Sequence, residues 1–329
     1  MAVRSLMLSA LLVGLITSGQ VFATSHSAPD HSPGIAQQGA DTYAVMIGGV
    51  RVTALSDGTV PQDLHEILHG ITNDKIDAML ERAHLSNPVE ASINAFLLEM
   101  GNRLVLVDTG VGTLFGPGLG NQLIDSLHAA DVEPEQITDV LLTHVHSDHM
   151  GGLTRDEQIV FPNATVHVGK PDVDFFLDRQ NAERADYDMR YFDQALTSLK
   201  PYVDAGKVDS FDRTTQILPG LTASLHPGHT PGSAFYTLEN QGQTLTFIGD
   251  IIHVAAVQFP DPSVTIAYDV NPEMAASVRS KAFSVLAEAG DLVAVPHMPF
   301  PGIGHIRKAS EGYDWVPVEY GNRAATEVR

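Results

Sequence analysis

One ten-residue segment constrains this chain more than any other part of the sequence. Residues 143–152 read THVHSDHMGG, so four side chains that can bind a metal, His144, His146, Asp148 and His149, fall within six positions. Imidazole nitrogens and carboxylate oxygens are ligands for Zn²⁺ and similar ions. Four ligands crowded this closely cannot all reach one tetrahedral ion easily. The spacing therefore predicts the start of two adjacent metal sites, and paired metals indicate hydrolysis.

Composition restricts the classes of partner that the protein can have. The chain has 329 residues, of which 43% are hydrophobic, and 19 basic and 40 acidic side chains give a formal net charge of −21. Such a surface repels phosphate backbones, which argues against nucleic acid as a partner. The small-molecule substrate expected for this chain follows from the metal motif and the resemblance described below. The chain contains no cysteine, so stability must come from its core and its metals instead of disulfides.

The first 23 residues have the pattern of a secretory signal peptide. Arg4 gives the positive start, residues 6–17 are apolar, and Val21 and Ala23 stand at the expected cleavage positions. A membrane anchor is the alternative interpretation, but the apolar run is too short to span comfortably. We therefore expect a periplasmic or secreted protein that has no membrane contact after cleavage.

The remaining chain divides into a short lead-in and one domain. Residues 24–42 are rich in Ser, Pro, Gly, Gln and Ala, which predicts disorder, and the predicted domain covers residues 43–329. Strands are predicted at 50–55, 93–100, 103–107, 139–142, 165–168, 221–225, 234–238, 244–248 and 292–295. Helices are predicted at 122–130, 172–179, 187–199 and 271–289. Two stacked sheets with outer helices, an α+β arrangement, fit this order.

Three further candidate ligands each follow a predicted strand. His229 lies in the sequence GHTPG, Asp250 follows an apolar run, and His297 follows the sequence VAVP. A single histidine or aspartate in such a place is more often an ordinary polar or turn residue. Strand ends, however, can direct several side chains at one point. Together with the dense first cluster, these residues are better interpreted as ligands.

These motifs, with LVDTG at 106–110, resemble the metallo-β-lactamase superfamily, and they occur in the family order between Leu55 and His305. The resemblance implies a four-layer αββα sandwich with two metals at one edge of the paired sheets. It also implies one ion on His144, His146 and His229, a second on Asp148, His149 and His297, Asp250 as the bridge, and Asp108 orienting a ligand from behind.

A closer resemblance is to methyl parathion hydrolase and related exported hydrolases. It is carried by GTLFGP at 112–117, AAVQF at 255–259, FPGIGHI at 300–306 and GYDWVPV at 312–318. Members hydrolyse organophosphate triesters, aryl esters and lactones in an aromatic pocket, which here implies Phe115, Phe176 and Phe192. Phe176 replaces a tryptophan of that family. His253 replaces an aliphatic residue, and its imidazole either alters substrate preference or faces solvent.

The resemblance implies a binuclear metal-dependent hydrolase in which a hydroxide shared by two divalent ions attacks small apolar esters, lactones or organophosphate triesters. Asp148 and Asp250 would be its catalytic carboxylates. Zinc is the expected ion, although the ligand set also accepts Mn, Fe, Co or Ni. The alternatives are an acyl-homoserine lactonase, a β-lactamase, or a non-catalytic metal-binding protein of the same fold. The family also implies a homodimer.

Overall fold

Two seven-stranded sheets face each other at the centre of the fold. The structure is a computed structural model, and it describes residues 42–321. The predicted signal peptide and the lead-in up to residue 41 lie outside the described residues, while Thr42, predicted to end the lead-in, begins the first strand. Within 42–321, no helix combines the length and apolarity needed to cross a membrane.

The described residues form eighteen strands, numbered here in chain order. They are β1 Thr42–Ile47, β2 Val50–Gln62, β3 Leu68–His69, β4 Val89–Met100, β5 Arg103–Val107, β6 Asp139–Leu141, β7 Thr154–Arg155, β8 Gln158–Ile159, β9 Thr165–Gly169, β10 Val208–Phe211, β11 Thr215–Leu218, β12 Leu221–Leu225, β13 Ala234–Asn240, β14 Gln243–Phe247, β15 Thr265–Ile266, β16 Leu292–Ala294, β17 Ile303–Lys308 and β18 Tyr313–Pro317.

The same part of the chain forms ten α-helices and three short 3₁₀ turns. The helices are α1 Leu64–Ile67, α2 Asn73–Arg82, α3 Leu123–Ala129, α4 Ser147–Met150, α5 Lys170–Phe176, α6 Gln180–Ala185, α7 Met189–Ser198, α8 Lys200–Asp204, α9 Ala255–Gln258 and α10 Pro272–Ala289. The 3₁₀ turns are Pro134–Gln136, Gly151–Leu153 and Gly249–Ile251.

Both sheets are mixed. The first has the order β1-β2-β4-β5-β6-β9-β10, with antiparallel pairing from β1 to β5 and parallel pairing from β5 to β10. The second has the order β11-β12-β13-β14-β16-β17-β18, and β14 and β16 are its parallel pair. Parallel strands end at the same edge of a sheet, so the loops that follow β5, β6 and β9 gather at one place.

Alternation along the strands separates the layers. In β4, Phe96 and Leu98 face the second sheet, whereas Ala95 and Leu97 face the outer helices. The ring of Phe96 packs against Phe247 of β14 at a centroid distance of 5.4 Å. Successive side chains of a strand point to opposite faces of the sheet. Residues on both faces of β4 are apolar because each face is covered by another layer of the fold. The order of layers is helix, sheet, sheet, helix, which confirms the αββα sandwich.

Amphipathic helices form the two outer layers. Phe192 and Ala195 of α7 pack on the first sheet, and Phe283 and Leu286 of α10 pack on the second. Helix α10 starts as the sequence predicts, because the Asn271 side chain accepts a hydrogen bond from the backbone of the third helical residue. It ends at a glycine in the left-handed conformation.

Two secondary-structure predictions are wrong. The strand predicted to stop at Ser56–Gly58 instead continues to Gln62, with its register shifted between Ser56 and Gly58. A β-bulge adds one unpaired residue to a strand without ending the pairing. The residues at this bulge, Ser56 to Gly58, are of types common in turns, so the sequence pattern predicts the end of the strand there. The helix predicted at 172–179 instead runs from Lys170 to Phe176 as α5, with Leu177 at its C-cap, and the next helix, α6, begins at Gln180.

Candidate metal centre

Side chains from five strand ends converge at one edge of the sandwich. Asp108 follows β5, the His144–His149 motif follows β6, and His229 lies in the loop between β12 and β13. Asp250 follows β14, and His297 follows β16. At Gly249, the residue before Asp250, a Cβ atom would lie 2.9 Å from the Cβ of Thr143, so only glycine allows the two loops to approach this closely.

Asp108 organises the start of the histidine motif. Its carboxylate accepts hydrogen bonds from the Thr143 backbone N–H and hydroxyl, both at 2.8 Å, and lies 2.9 Å from Nδ1 of His149. A carboxylate only accepts, so Nδ1 of His149 carries the hydrogen. In the neutral ring the lone pair is therefore on Nε2, which faces Asp148 and Asp250 at 3.7 Å and 3.2 Å. These carboxylates and Asp108 raise the pKa of His149 well above its usual range, against the effect of burial.

A second carboxylate orients His229 in the same way. Oδ1 of Asp269 lies 2.9 Å from Nδ1 of His229, while Nε2 of that ring lies 3.0 Å from Nδ1 of His146. Asp269 is itself held by the Ile266 backbone N–H. Such outer hydrogen bonds fix the ring orientation and tautomer of metal-binding histidines.

His297 is oriented by the backbone of the first sheet. Its Nδ1 donates to the carbonyl of Ser92 at 2.8 Å, which leaves Nε2 facing Asp250 at 3.1 Å and Asp148 at 3.5 Å. The loop that carries His297 is tied to β4, because the Asn94 side chain donates to two carbonyls of that loop at 2.8 Å.

Asp250 lies at the centre of the cluster. Its Oδ2 is 3.4 Å from His229 Nε2 and 3.6 Å from His144 Nε2, and its Oδ1 faces His149. Four triplets of described residues have all ligand atoms within 4.8 Å of one another: His144, His146 and His229; His144, His149 and Asp250; Asp148, His149 and His297; and His229, Asp250 and His253. A carboxylate placed between two such groups can bridge two ions.

The cluster contains polar atoms that no protein group satisfies. Within residues 42–321, Nε2 of His144, Nε2 of His149 and Oδ1 of Asp250 are buried and form no hydrogen bond. Neither ring nitrogen of His253 forms one there either. Leaving several buried acceptors unpaired at one point is costly unless a cation lies between them. The donor set therefore fits a divalent metal centre.

Electrostatics divide the histidines into two groups. Burial, reinforced by neighbouring imidazoles, holds the pKa of His144 and His146 well below its usual range. Burial acts in the same direction on His229, but Asp250 and Asp269 outweigh it and raise the pKa of His229 to about 9. The surrounding imidazoles likewise overcome the effect of burial on Asp250 and hold its pKa well below normal.

Asp172, the third residue of α5, joins the two loops that carry the ligands. One carboxylate oxygen accepts from the Val145 backbone at 2.9 Å and the Thr230 hydroxyl at 2.8 Å, and the other accepts from the Gly232 backbone at 2.5 Å. Burial raises the pKa of Asp172 to about 6, even though its three hydrogen bonds lower it.

A cleft of about 380 Å³ opens over the cluster. It is lined by Asp148, Asp250, His253, His297 and His146 on its floor, and by Val60, Leu114, Phe115, Leu119, Tyr191 and Tyr268 on its walls. Of the predicted pocket residues, the structure brings Phe115 and His253 to this cleft. Asp148 remains partly exposed there, with 18% of its side-chain surface accessible.

The predicted places of Phe176 and Phe192 on the cleft wall are wrong. Both side chains are fully buried, and their rings pack together at 5.4 Å within the core beneath the first outer helix layer. Phe176 reaches the site only indirectly, as an edge-on neighbour of His146 at 5.6 Å. A phenylalanine on the apolar face of an amphipathic helix packs in the core by default.

Several residues of the site lie outside the sequence motifs and were not predicted to belong to it. Tyr187, Tyr191, Tyr268, Asp269 and Asp172 fall outside any motif, yet they contact ligands or line the cleft. Their roles depend on loops that meet only in the folded chain. A short-range clue existed only for Asp172, in the first turn of a predicted helix, and capping explains such a residue equally well.

Fold and site together define a metal-dependent hydrolase of the αββα class. A family model described as the metallo-beta-lactamase superfamily matches residues 89–298. The chain belongs to the metallo-beta-lactamase superfamily.

Individual relatives are consistent with this placement. The crystal structure of the hydrolase AbOPH is 34% identical with a TM-score of 0.82, and the match covers 87% of this chain and 100% of that chain. AidC, a dizinc quorum-quenching lactonase solved with the product N-hexnoyl-L-homoserine, is 25% identical with a TM-score of 0.78, covering 86% of this chain and 99% of AidC.

A curated relative, the ribonuclease TTHA0252 of Thermus thermophilus, is 26% identical over 181 residues, which are 53% of this chain and 38% of that protein. The chain spans less than two thirds of the length of the curated relatives it matches.

Proposed function

We propose that the protein is a binuclear metallohydrolase that cleaves small, rather apolar esters, lactones or organophosphate triesters. The observation that carries the proposal is the convergence of seven ligand side chains on buried, unsatisfied polar atoms directly beneath an open cleft. A purely structural metal site would be closed to substrate, whereas catalytic sites keep an open position.

The ligand set divides around Asp250. His144, His146 and His229 would hold one ion, and Asp148, His149 and His297 the other, with Asp250 between them. When bound, a pair of divalent ions supplies a water of lowered pKa and polarises the oxygen of the scissile bond. Zinc suits this donor set, and AidC is a dizinc lactonase.

Three carboxylates have separate roles in the proposed reaction. Asp108 and Asp269 keep His149 and His229 in the tautomer that can bind a cation. Both Asp148 and Asp250 line the cleft, but the Asp148 side chain is the more exposed, at 18% against 4%. Asp148 is therefore the carboxylate better placed to carry a proton toward a departing oxygen. An alkoxide leaving group needs such help more than a phenolate does.

The cleft favours small and largely uncharged substrates. Apolar and aromatic side chains form much of its walls, and Arg190 is its one Lys or Arg side chain among the described residues. Together with a net charge of −21, this argues against a polyanionic substrate such as RNA, although one relative is a ribonuclease. The motifs that resemble methyl parathion hydrolase support esters, lactones and triesters, and among the similar structures AbOPH is a hydrolase and AidC a lactonase.

Acyl-homoserine lactones are the second candidate substrates. AidC was solved with the ring-opened product of such a lactone and matches 86% of this chain. The same cleft would have to accept an acyl chain along its apolar wall. A neutral lactone needs the same metal chemistry as an aryl ester, so the two candidates differ only in how the cleft fits them.

Steady-state kinetics on protein of measured metal content test the proposal. The panel comprises a paraoxon-type triester, an aryl ester, γ- and δ-lactones, homoserine lactones and a cephalosporin. We expect turnover of esters or lactones that is lost on chelation and restored by zinc. Turnover of the cephalosporin alone would contradict the substrate assignment. Stoichiometric metal with no turnover of any substrate would favour a non-catalytic metal-binding protein.

Export is part of the proposal. The N-terminal pattern with Arg4 and Ala23 supports cleavage and a periplasmic or secreted location. Cell fractionation followed by N-terminal sequencing of the mature protein tests it, and an intact Met1 on the purified protein would contradict it.

A further inference from the structure

The hydroxyl of Tyr187 has two partners whose chemistry fixes the direction of both hydrogen bonds. It lies 2.7 Å from the backbone carbonyl of Tyr268 and 3.0 Å from Nε2 of His146. A carbonyl oxygen only accepts, so the phenol hydrogen must go to Tyr268. The phenol oxygen is then an acceptor, and Nε2 of His146 must donate to it.

This chain of hydrogen bonds selects one tautomer of His146. With the hydrogen on Nε2, the lone pair lies on Nδ1, the atom that faces Nε2 of His229 at 3.0 Å. We propose that Tyr187 is a positioning residue that fixes His146 for metal binding through Nδ1 and so supports the ion shared with His144 and His229. The inference rests on the proposed function.

The segment 268–271 orients ligands of only one of the two proposed ions, the ion of His144, His146 and His229. The segment 268–271 holds His229 as well, because Asp269 accepts from its ring and the Val270 N–H donates to its carbonyl at 2.8 Å. Asn271 adds a backbone bond to Gly228 at 2.9 Å. Two of the three ligands of one ion therefore depend on a single segment.

The other ion depends on different parts of the fold. His149 is oriented by Asp108 after β5, and His297 by the Ser92 carbonyl of β4. Neither interaction involves segment 268–271 or Tyr187. Loss of the Tyr187 hydroxyl should therefore weaken one of the two metal-binding steps and leave the other unchanged.

The segment also borders the substrate. The side chain of Tyr268 lines the cleft, while its carbonyl receives the Tyr187 hydrogen bond. A ligand that shifts this segment would change the affinity for the same ion, and by linkage that ion would change the affinity for the ligand by an equal factor.

Tyr191 provides a matched control. Its ring lies closer to His146 than that of Tyr187, at a centroid distance of 4.8 Å against 6.2 Å. Among the described contacts, however, its hydroxyl forms no hydrogen bond with His146. The variants Tyr187→Phe and Tyr191→Phe each remove one hydroxyl from a ring that packs near the same imidazole, and only the first removes a hydrogen bond to it.

The experiment is a zinc titration of the chelator-treated protein in competition with a dye of known affinity. For Tyr187→Phe we expect one of the two stepwise dissociation constants to rise about 10- to 100-fold, the range for outer partners of metal-bound histidines. Tyr191→Phe should leave both constants within about twofold. Equal constants in Tyr187→Phe and the wild type would overturn the inference.

Nuclear magnetic resonance of ¹⁵N-histidine-labelled wild type gives an independent test. We expect the zinc-loaded protein to show a slowly exchanging Nε2–H on His146, and Tyr187→Phe to exchange it much faster. A wild-type His146 with its hydrogen on Nδ1 would overturn the inference, even if the variant did not fold.

These results separate the inference from the proposed function. A wild type that binds two ions and hydrolyses esters, but whose Tyr187→Phe variant behaves identically, refutes only the role of Tyr187. A wild type that binds no pair of ions refutes both.

Discussion

Nε2 of His229 lies 3.0 Å from Nδ1 of His146, and both rings are buried. Asp250 and Asp269 raise the pKa of His229 to about 9 against the effect of burial, so at neutral pH the metal-free ring is protonated and can donate to His146. An incoming cation must displace that proton.

Zinc affinity of the metal-free protein should therefore depend on pH. We expect the apparent affinity to rise between pH 7 and about 9, where His229 loses its proton. Against the effect of burial, neighbouring carboxylates also raise the pKa of His149 and His297, so the loss of their protons adds to the rise. Dye competition across this range, corrected for the protonation of the dye, measures it. A constant affinity would show that no such proton is displaced.

The same shift predicts the pH dependence of stability without metal. The folded pKa of His229 is raised to about 9 from an unfolded value near 6.5, so its contribution is complete below 6.5 and is lost as the pH rises through 9. Urea unfolding of the chelator-treated protein at pH 6.5 and 9.5 measures this loss. Greater stability at the higher pH would contradict the assignment.

Asp269→Asn should weaken metal binding. The amide can present a donor to His229 in place of the carboxylate, so the ring loses its charged acceptor. We expect zinc affinity to fall about 10- to 100-fold. Asp209→Asn, an exposed change on β10, is the control and should leave the affinity unchanged. Equal affinities in the two variants would mean that Asp269 does not orient a ligand.

Asp172→Ala should destabilise the whole fold. The substitution leaves the Val145 and Gly232 N–H groups and the Thr230 hydroxyl unpaired in a buried place. At about 1–3 kcal/mol for each orphaned group, offset by relaxation and water, we expect a loss of about 3–5 kcal/mol.

Denaturant unfolding measures that loss, and the control lies two residues along the same helix. Among residues 42–321, the Asp174 side chain pairs only with Lys170 on the surface, so Asp174→Ala should change stability by less than about 1 kcal/mol. A similar small change in Asp172→Ala would show that its hydrogen bonds do not hold the two loops together.

Phe115 and Phe192 should respond to truncation in opposite ways. Phe192 is fully buried beneath the first sheet, and its removal should cost about 3–5 kcal/mol with little effect on KM. Phe115 lines the cleft, so Phe115→Ala should raise KM with a smaller effect on stability. Thermal unfolding and kinetics on the best ester of the panel measure both. A raised KM in Phe192→Ala without a loss of stability would instead show that Phe192 contacts the substrate.

Local patterns in the sequence predicted most of the site-bearing framework. Strand β12 has the predicted bounds of 221–225. Helix α10, with predicted bounds of 271–289, spans Pro272–Ala289, with Asn271 as its N-cap and Gly290 as its C-cap. The bulged strand β2 is one exception, because the residues at its bulge, Ser56 to Gly58, have the composition of a turn although the strand continues through them.

The amino-acid sequence by itself determined the seven candidate ligands and the layer order, since both follow from residue types at fixed spacing and from alternation along strands. Only the tertiary structure decided which side chains orient those ligands and which aromatic rings reach the substrate. Asp269, Tyr187 and Asp172 act through contacts across 40, 41 and 58 residues of chain, and no local pattern encodes such distances. The local sequence does not distinguish a phenylalanine buried in the core from one on a cleft wall, because the difference depends on which loop packs beside it.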